Sequence, residues 1–238
     1  MRWDALVFDL DDTLYPERQY VRSGMWAVSE WVEANLDFAA YDCYEELCAL
    51  EETAEPGRVF DRWIQLHGLR PDDWVGAMVT VYRRHAPEIR PYPEVQLELE
   101  RLAAGFRLGL VSDGYQEAQE KKWTALKLAP YFEAVVFSDK LGRENWKPSP
   151  LPFRTVIERL GVRAERAVYI GDNPYKDFLG ARAIGMQTIR MRRPDGRYHM
   201  IDLPSPHGVA DAEARNLGEI DSGLEQIRSG RCLATPNQ

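Results

Sequence analysis

Val7-Phe8-Asp9-Leu10-Asp11-Asp12-Thr13-Leu14-Tyr15-Pro16-Glu17 is an apolar run that breaks at once into acids. Ala5 to Phe8 reads as a buried strand. Packing alone gives no reason for such a strand to end in three carboxylates and a threonine, because clustered acids repel and each costs several kcal/mol to bury without a partner. A metal cation would compensate, and hard oxygen ligands suit Mg²⁺. If the strand period of two continues, Asp9 and Asp11 point the same way. One acid is then available as a nucleophile and the other as a proton carrier.

Outward from this stretch the patterning changes twice. Residues 3–9 form the first strand. From about Pro16 to Glu88 the chain is helical, with Val21, Met25, Val28, Val32 and Leu36 on one amphipathic face. Further helices follow over Tyr44 to Ala54, around Trp63 up to Gly68, and from Pro71. An insert of this size is a small domain, and Trp26, Trp31, Trp63 and Trp74 read mostly as its core. After Arg90-Pro91-Tyr92-Pro93 strands and helices alternate: strands over 106–112, 134–138, 167–171 and 187–191, helices over 94–104, 116–128, 149–160 and 177–184. The expectation is an α/β fold, a doubly wound, mostly parallel sheet with helices on both faces. Such sheets bind ligands beyond the carboxyl ends of their strands, where the strand order reverses.

Composition narrows the function classes. The 238 residues are 45% apolar and 29% charged, an ordinary globular balance. A net charge of −8 with no basic block argues against nucleic acid as a partner. No apolar run has the length of a membrane span and no signal pattern opens the chain, so a cytoplasmic protein without a membrane partner is expected. Cys43, Cys48 and Cys232 are odd in number, lack zinc-type spacing and read as reduced thiols. Nothing in the sequence specifies an oligomeric state.

Three further stretches end strands in chemistry. Leu108-Gly109-Leu110-Val111-Ser112-Asp113-Gly114 ends in a small hydroxyl residue. Trp146-Lys147-Pro148-Ser149-Pro150-Leu151-Pro152-Phe153 sets an ammonium at a helix N-terminus, where it suits a bound anion better than the helix dipole. Val168-Tyr169-Ile170-Gly171-Asp172-Asn173-Pro174-Tyr175-Lys176-Asp177 is a second apolar strand breaking into acids. In this order, with Asp9-x-Asp11-x-Thr13 first, these stretches resemble the four motifs of the haloacid dehalogenase superfamily. The likeness runs from about residue 5 to about 225, and the insert resembles that family's helical cap.

The resemblance implies a Rossmann-like catalytic core over residues 1–15 and 91–230, a helical cap over 16–90 and a flexible tail over 231–238. It implies a Mg²⁺-dependent phosphatase acting on a small phosphorylated metabolite through an aspartyl-phosphate. Asp9 is then the nucleophile and Asp11 the acid and base, with a raised pKa. Ser112, the Asp113 backbone and Lys147 would hold the phosphoryl oxygens. Asp9, the Asp11 carbonyl and Asp172 would hold the metal, with Thr13 and Asp177 in support. The cap would close over the site and select the leaving group. A phosphomutase needs the same residues, and a regulatory protein could keep the pocket without turnover. Dehalogenating relatives lack the second aspartate and the metal, whereas Asp11 is present. The loop after the last strand carries Arg190, Arg192, Arg193 and Arg197. It reads either as a solvated loop paired with surface acids or as a contact for a second anionic group of the substrate.

Overall fold

Largely buried segments build a six-stranded parallel sheet. The computed structural model of the chain describes residues 3–55, 57–201 and 209–230. The strands are β1 (Ala5–Phe8), β2 (Arg107–Ser112), β3 (Ala134–Phe137), β4 (Ala167–Gly171), β5 (Gln187–Met191) and β6 (Ala212–Ala214). Their spatial order is β3-β2-β1-β4-β5-β6, every neighbouring pair parallel. The chain thus starts in the middle, runs outward through β2 and β3, then returns to β4 on the other flank of β1. The order reverses between β1 and β4, where Phe8 lies level with Ile170 and the Asp9 N–H donates to the Ile170 carbonyl at 2.8 Å.

The helices of this unit are α5 (Val95–Ala103), α6 (Gln116–Leu126), α7 (Leu151–Leu160), α8 (Asp177–Ala183) and α9 (Ile220–Arg228). One core cluster packs Val7, Val111 and Tyr169 of the sheet against Phe153, Val156 and Leu160 of α7 and Phe178 and Ala181 of α8. At Gly180 a Cβ would lie 2.8 Å from the Ser149 carbonyl oxygen, so only a glycine lets α8 approach the Lys147 loop this closely. The doubly wound α/β sheet read from the sequence is the observed fold. The short β6 and the α9 that follows it are additions to that reading.

The described chain divides into two units, Met1–Glu17 with Arg90–Gln238, and Arg18–Ile89. The second is built from α1 (Glu17–Leu36), α2 (Ala40–Thr53), α3 (Val59–Leu66) and α4 (Pro71–Arg84). Its core joins Met25, Val28 and Val32 to Cys43, Leu47, Trp63, Ile64 and Met78. Trp63 is fully buried and donates its indole N–H to Glu46 at 2.7 Å. Trp31 and Trp74 meet edge to face, while Trp26 is 41% exposed, so three of the four tryptophans pack in that core and one does not. Residues 231–238, expected as a flexible tail, and Cys232 lie outside the described residues.

Candidate active site

Asp9 follows the last residue of β1, Ser112 ends β2, and Asp172 follows the last residue of β4. Parallel strands with one polarity bring these ends to one edge of the sheet, at the point of strand reversal. Lys147 enters from the loop before α7. Its ammonium is fully buried and donates to Asp9 Oδ1 at 2.6 Å, Asp177 Oδ1 at 2.7 Å and the Tyr169 hydroxyl at 2.9 Å. Those three acceptors use its three protons. Burial disfavours the charge, yet Asp177, Asp9 and Tyr169 outweigh it and hold Lys147 well above the ordinary lysine range. Asp177 opens α8 and accepts the Asn173 N–H on Oδ2 at 2.8 Å. A Cβ at Gly171 would sit 2.8 Å from the Asp177 carboxyl carbon, so the glycine clears this approach.

Carboxylate oxygens of Asp9, Asp172 and Asp177 lie within 4.8 Å of one another. Burial lifts Asp9 to about 7 against the pull of Lys147, with Asp177 adding to the rise. Burial, then Asp177, Asp9 and Asp12, raises Asp172 well above the ordinary carboxyl range. Three converging acids with two elevated pKa values are a donor set that fits a hard divalent cation. Both Asp177 oxygens already accept hydrogen bonds, so Asp9 and Asp172 are the better direct donors.

Asp11 departs from expectation. The strand ends at Phe8, a turn follows, and Asp12 takes a positive φ of 50°, so the period of two does not carry through to Asp11. Its carboxylate meets Lys122 at 2.7 Å, the Tyr15 hydroxyl, and Gln119 Nε2 at 3.2 Å. Burial pushes its pKa up, but the Lys122 charge and the hydrogen bonds from Lys122, Tyr15 and Gln119 overcome this and hold it below the ordinary value. The expected elevation of Asp11 is therefore not what this arrangement produces.

Other site residues are placed as follows. Ser112 and Thr13 are fully buried, and neither hydroxyl has a hydrogen-bond partner among the described residues. The Asp113 carboxylate accepts from the Ser138 hydroxyl and from the Lys147 backbone N–H at 3.2 Å, tying the end of β2 to the lysine loop. Asp12 accepts the Glu17 and Arg197 backbone N–H groups at 2.8 and 2.9 Å, joining two loops. Sequence reading passed over Lys176, whose ammonium lies 3.7 Å from Asp113 Oδ2, and it also passed over Lys122 and Gln119. A signal existed for Lys176, which directly precedes Asp177 in the acidic stretch. Nothing local marked Lys122.

The arginine loop is mostly turned inward. Arg190 donates to the Tyr198 and Ile201 carbonyls, and Arg192 pairs with Glu213 at 2.8 Å. Arg193 is 4% exposed, pairs with Glu94 at 2.5 Å, donates to the Thr13 carbonyl at 2.9 Å and stacks on Tyr92. These three side chains are spent on internal partners. Only Arg197 of the four is exposed.

The chain is similar to known proteins along most of its length. The family model described as "Haloacid dehalogenase-like hydrolase" matches residues 62–191. A glyceraldehyde 3-phosphate phosphatase of Methanopyrus kandleri is 35% identical over 224 residues, 91% of this chain and 94% of the relative. Among solved structures, a 2-haloacid dehalogenase from Pseudomonas syringae pv. Tomato superposes with a TM-score of 0.63 at 28% identity, covering 95% of this chain and 99% of that one. A HAD phosphatase from Thermococcus onnurineus gives 0.61 at 26% identity, covering 94% and 99%. No helix among the described residues is long and apolar enough to cross a membrane. With a family model over more than half its length and a phosphatase relative along nine-tenths of it, the chain belongs to the haloacid dehalogenase-like hydrolases and is a phosphoric monoester hydrolase.

Proposed function

We propose that the protein is a Mg²⁺-dependent phosphatase that hydrolyses a small phosphorylated metabolite through an aspartyl-phosphate on Asp9. The observation that carries this reading is the convergence of Asp9, Lys147, Asp172 and Asp177 at the strand-order reversal. Asp9 attacks phosphorus in line and the bond to the leaving oxygen breaks. Asp11 protonates that oxygen, then takes a proton from the water that cleaves the Asp9–phosphorus bond. Lys147 favours the ionised form of Asp9, against its burial, and orients it while an anionic substrate approaches. The buried Ser112 hydroxyl has a donor to offer a phosphoryl oxygen. Asp9, Asp172 and the Asp11 main-chain carbonyl would hold Mg²⁺, which when bound neutralises charge between nucleophile and phosphate. Asp177 holds Lys147, and Thr13 supports the turn that carries Asp11.

Similarity to a glyceraldehyde 3-phosphate phosphatase supports a triose-phosphate-sized substrate. The helical unit is assigned the role of selecting among leaving groups. The test is a panel of phosphomonoesters assayed with Mg²⁺ beside Asp9→Asn. The wild type should release phosphate from small sugar phosphates and p-nitrophenyl phosphate, and Asp9→Asn should lose all turnover while keeping its circular dichroism spectrum. Retention of near-wild-type turnover by Asp9→Asn would refute the covalent route.

A further inference from the structure

Asp11 is gripped by residues that lie outside the four motifs. Lys122 and Gln119 stand three apart on α6, so they share one helix face. Lys122 donates to Asp11 Oδ1 at 2.7 Å, and its side chain is 5% exposed. Gln119 Nε2 donates to Asp11 Oδ2 at 3.2 Å and to the Asp113 carbonyl at 2.6 Å. The Tyr15 hydroxyl, fully buried on the far side of the turn, completes the grip on Oδ1. Room for Gln119 is made by Gly114, which has a φ of +130° and where a Cβ would run into the Gln119 amide. A lysine buried on a helix that could have carried a leucine there costs stability unless its charge is used.

A carboxylate has about four acceptor positions. Two donors occupy Oδ1 and one occupies Oδ2. Among the described residues, the acceptor position left open is therefore on Oδ2. We propose that Lys122 and Gln119 are positioning residues that fix the Asp11 carboxylate and make Oδ2 the oxygen that gives and takes the proton. The inference rests on the reading of Asp11 as acid and base. In the first step Oδ2 relays to the leaving oxygen a proton brought in by the monoanionic phosphate ester, as Asp9 bonds phosphorus and the leaving oxygen's bond to phosphorus breaks. In the second a water proton passes to Oδ2 as the water oxygen bonds phosphorus and the Asp9–phosphorus bond breaks. Loss of Lys122 frees the carboxylate to rotate and costs catalysis without touching the substrate.

The test is a double-mutant cycle in Mg²⁺ with glycerol 2-phosphate and p-nitrophenyl phosphate as probes. Lys122→Met keeps the length of the side chain and drops the charge. It should lower kcat for the alkyl ester by roughly 10- to 100-fold, less than the roughly 10²–10⁴-fold that general acid–base catalysis supplies, with KM within about twofold. The single-turnover burst of p-nitrophenolate, whose leaving group needs little protonation, should fall by less than about threefold. Lys122→Arg should recover part of the loss. In an Asp11→Asn background Lys122→Met should have no further effect beyond about twofold. A Lys122→Met loss of undiminished size in the Asp11→Asn background, or equal losses in both probes, would overturn the proposal, as would wild-type kcat in Lys122→Met. Should Lys122→Met fail to fold, Gln119→Leu is read in the same cycle by the same criteria. If the wild type hydrolyses neither ester, it is the phosphatase reading itself that falls.

Discussion

Replacing Arg193 by alanine separates two meanings of a basic loop. A substrate-contacting arginine, when removed, raises KM for one substrate; a structural one lowers stability and spares discrimination. The structure supports a magnitude for the second. The Arg193 guanidinium donates to the Thr13 carbonyl from Nε at 3.3 Å and Nη2 at 2.9 Å, in a site 4% exposed. Hydrogen bonds from a charged group to a buried carbonyl contribute about 1.5–3 kcal/mol. Glu94, 29% exposed at its side chain, adds an ion pair that solvent weakens to about 1 kcal/mol or less. Stacking of the guanidinium 3.9 Å over the Tyr92 ring adds about 0.5–2 kcal/mol. These terms overlap, and about 3 kcal/mol is the expected loss for Arg193→Ala.

For a unit of this size that loss lowers Tm by roughly 6–12 °C. Differential scanning calorimetry and urea melts measure it. Arg193→Lys keeps the charge but loses the fork and the flat face, so it should recover less than half. The acid limb gives a further check. Burial raises the Glu94 pKa, but the Arg193 hydrogen bond and charge outweigh it and leave it below its ordinary value of 4.5. A depressed carboxyl pKa stabilises the fold above pH 4.5 and that contribution is lost as pH falls through the lower folded-state value. The gap between wild type and Arg193→Ala should therefore narrow in that window. An unchanged Tm, together with a KM increase confined to one phosphoester, would return Arg193 to the substrate.

Two other perturbations address the site. Gly171→Ala places a methyl against the Asp177 carboxyl and 3.0 Å from Tyr169, and should cost about 1–3 kcal/mol by overpacking; kcat should fall with it, because the same carboxylate holds Lys147, and a variant with wild-type kcat and Tm would show that the contact relaxes freely. Asp172→Ala should weaken Mg²⁺ binding measured by calorimetry, and EDTA should stop the wild-type enzyme; full activity in chelator would remove the metal from the mechanism.

The fold was legible because its strands advertise themselves. Ala167–Gly171 is a near-continuous apolar run bounded by turns, the mark of a strand buried on both faces. β6 escaped because Ala212-Glu213-Ala214 is too short to have a period. The helix after it did carry one, in Ile220, Leu224 and Ile227. At the site, the residues that follow strands could be found from sequence, since a strand's end is local information. Lys122 could not. It lies on a helix of polar composition, and its burial depends on Asp11, 111 positions earlier in the chain. Arg193 failed in the same way: its partners Thr13 and Glu94 are 180 and 99 positions distant. A cation in sequence looks solvated until tertiary structure supplies the acid.

The charges of the site divide their work by which acid each cation serves. Lys147 is committed to Asp9 and Asp177, and Lys122 to Asp11. Asp113, 3.7 Å from Lys176, is the acid that braces the lysine loop. Asp172 has no ion pair among the described residues, and the strongest charges acting on it are Asp177, Asp9 and Asp12, all acids. It is buried nonetheless. Such a placement disfavours the ionised carboxylate, and a bound cation would offset that burial. Asp172 is thus the residue whose position makes least sense in the protein alone, and Asp9, next to it and raised chiefly by the same burial, is the residue whose ionisation the proposed reaction requires. A cation taken up between them would relieve the burial of the one and ready the other for attack.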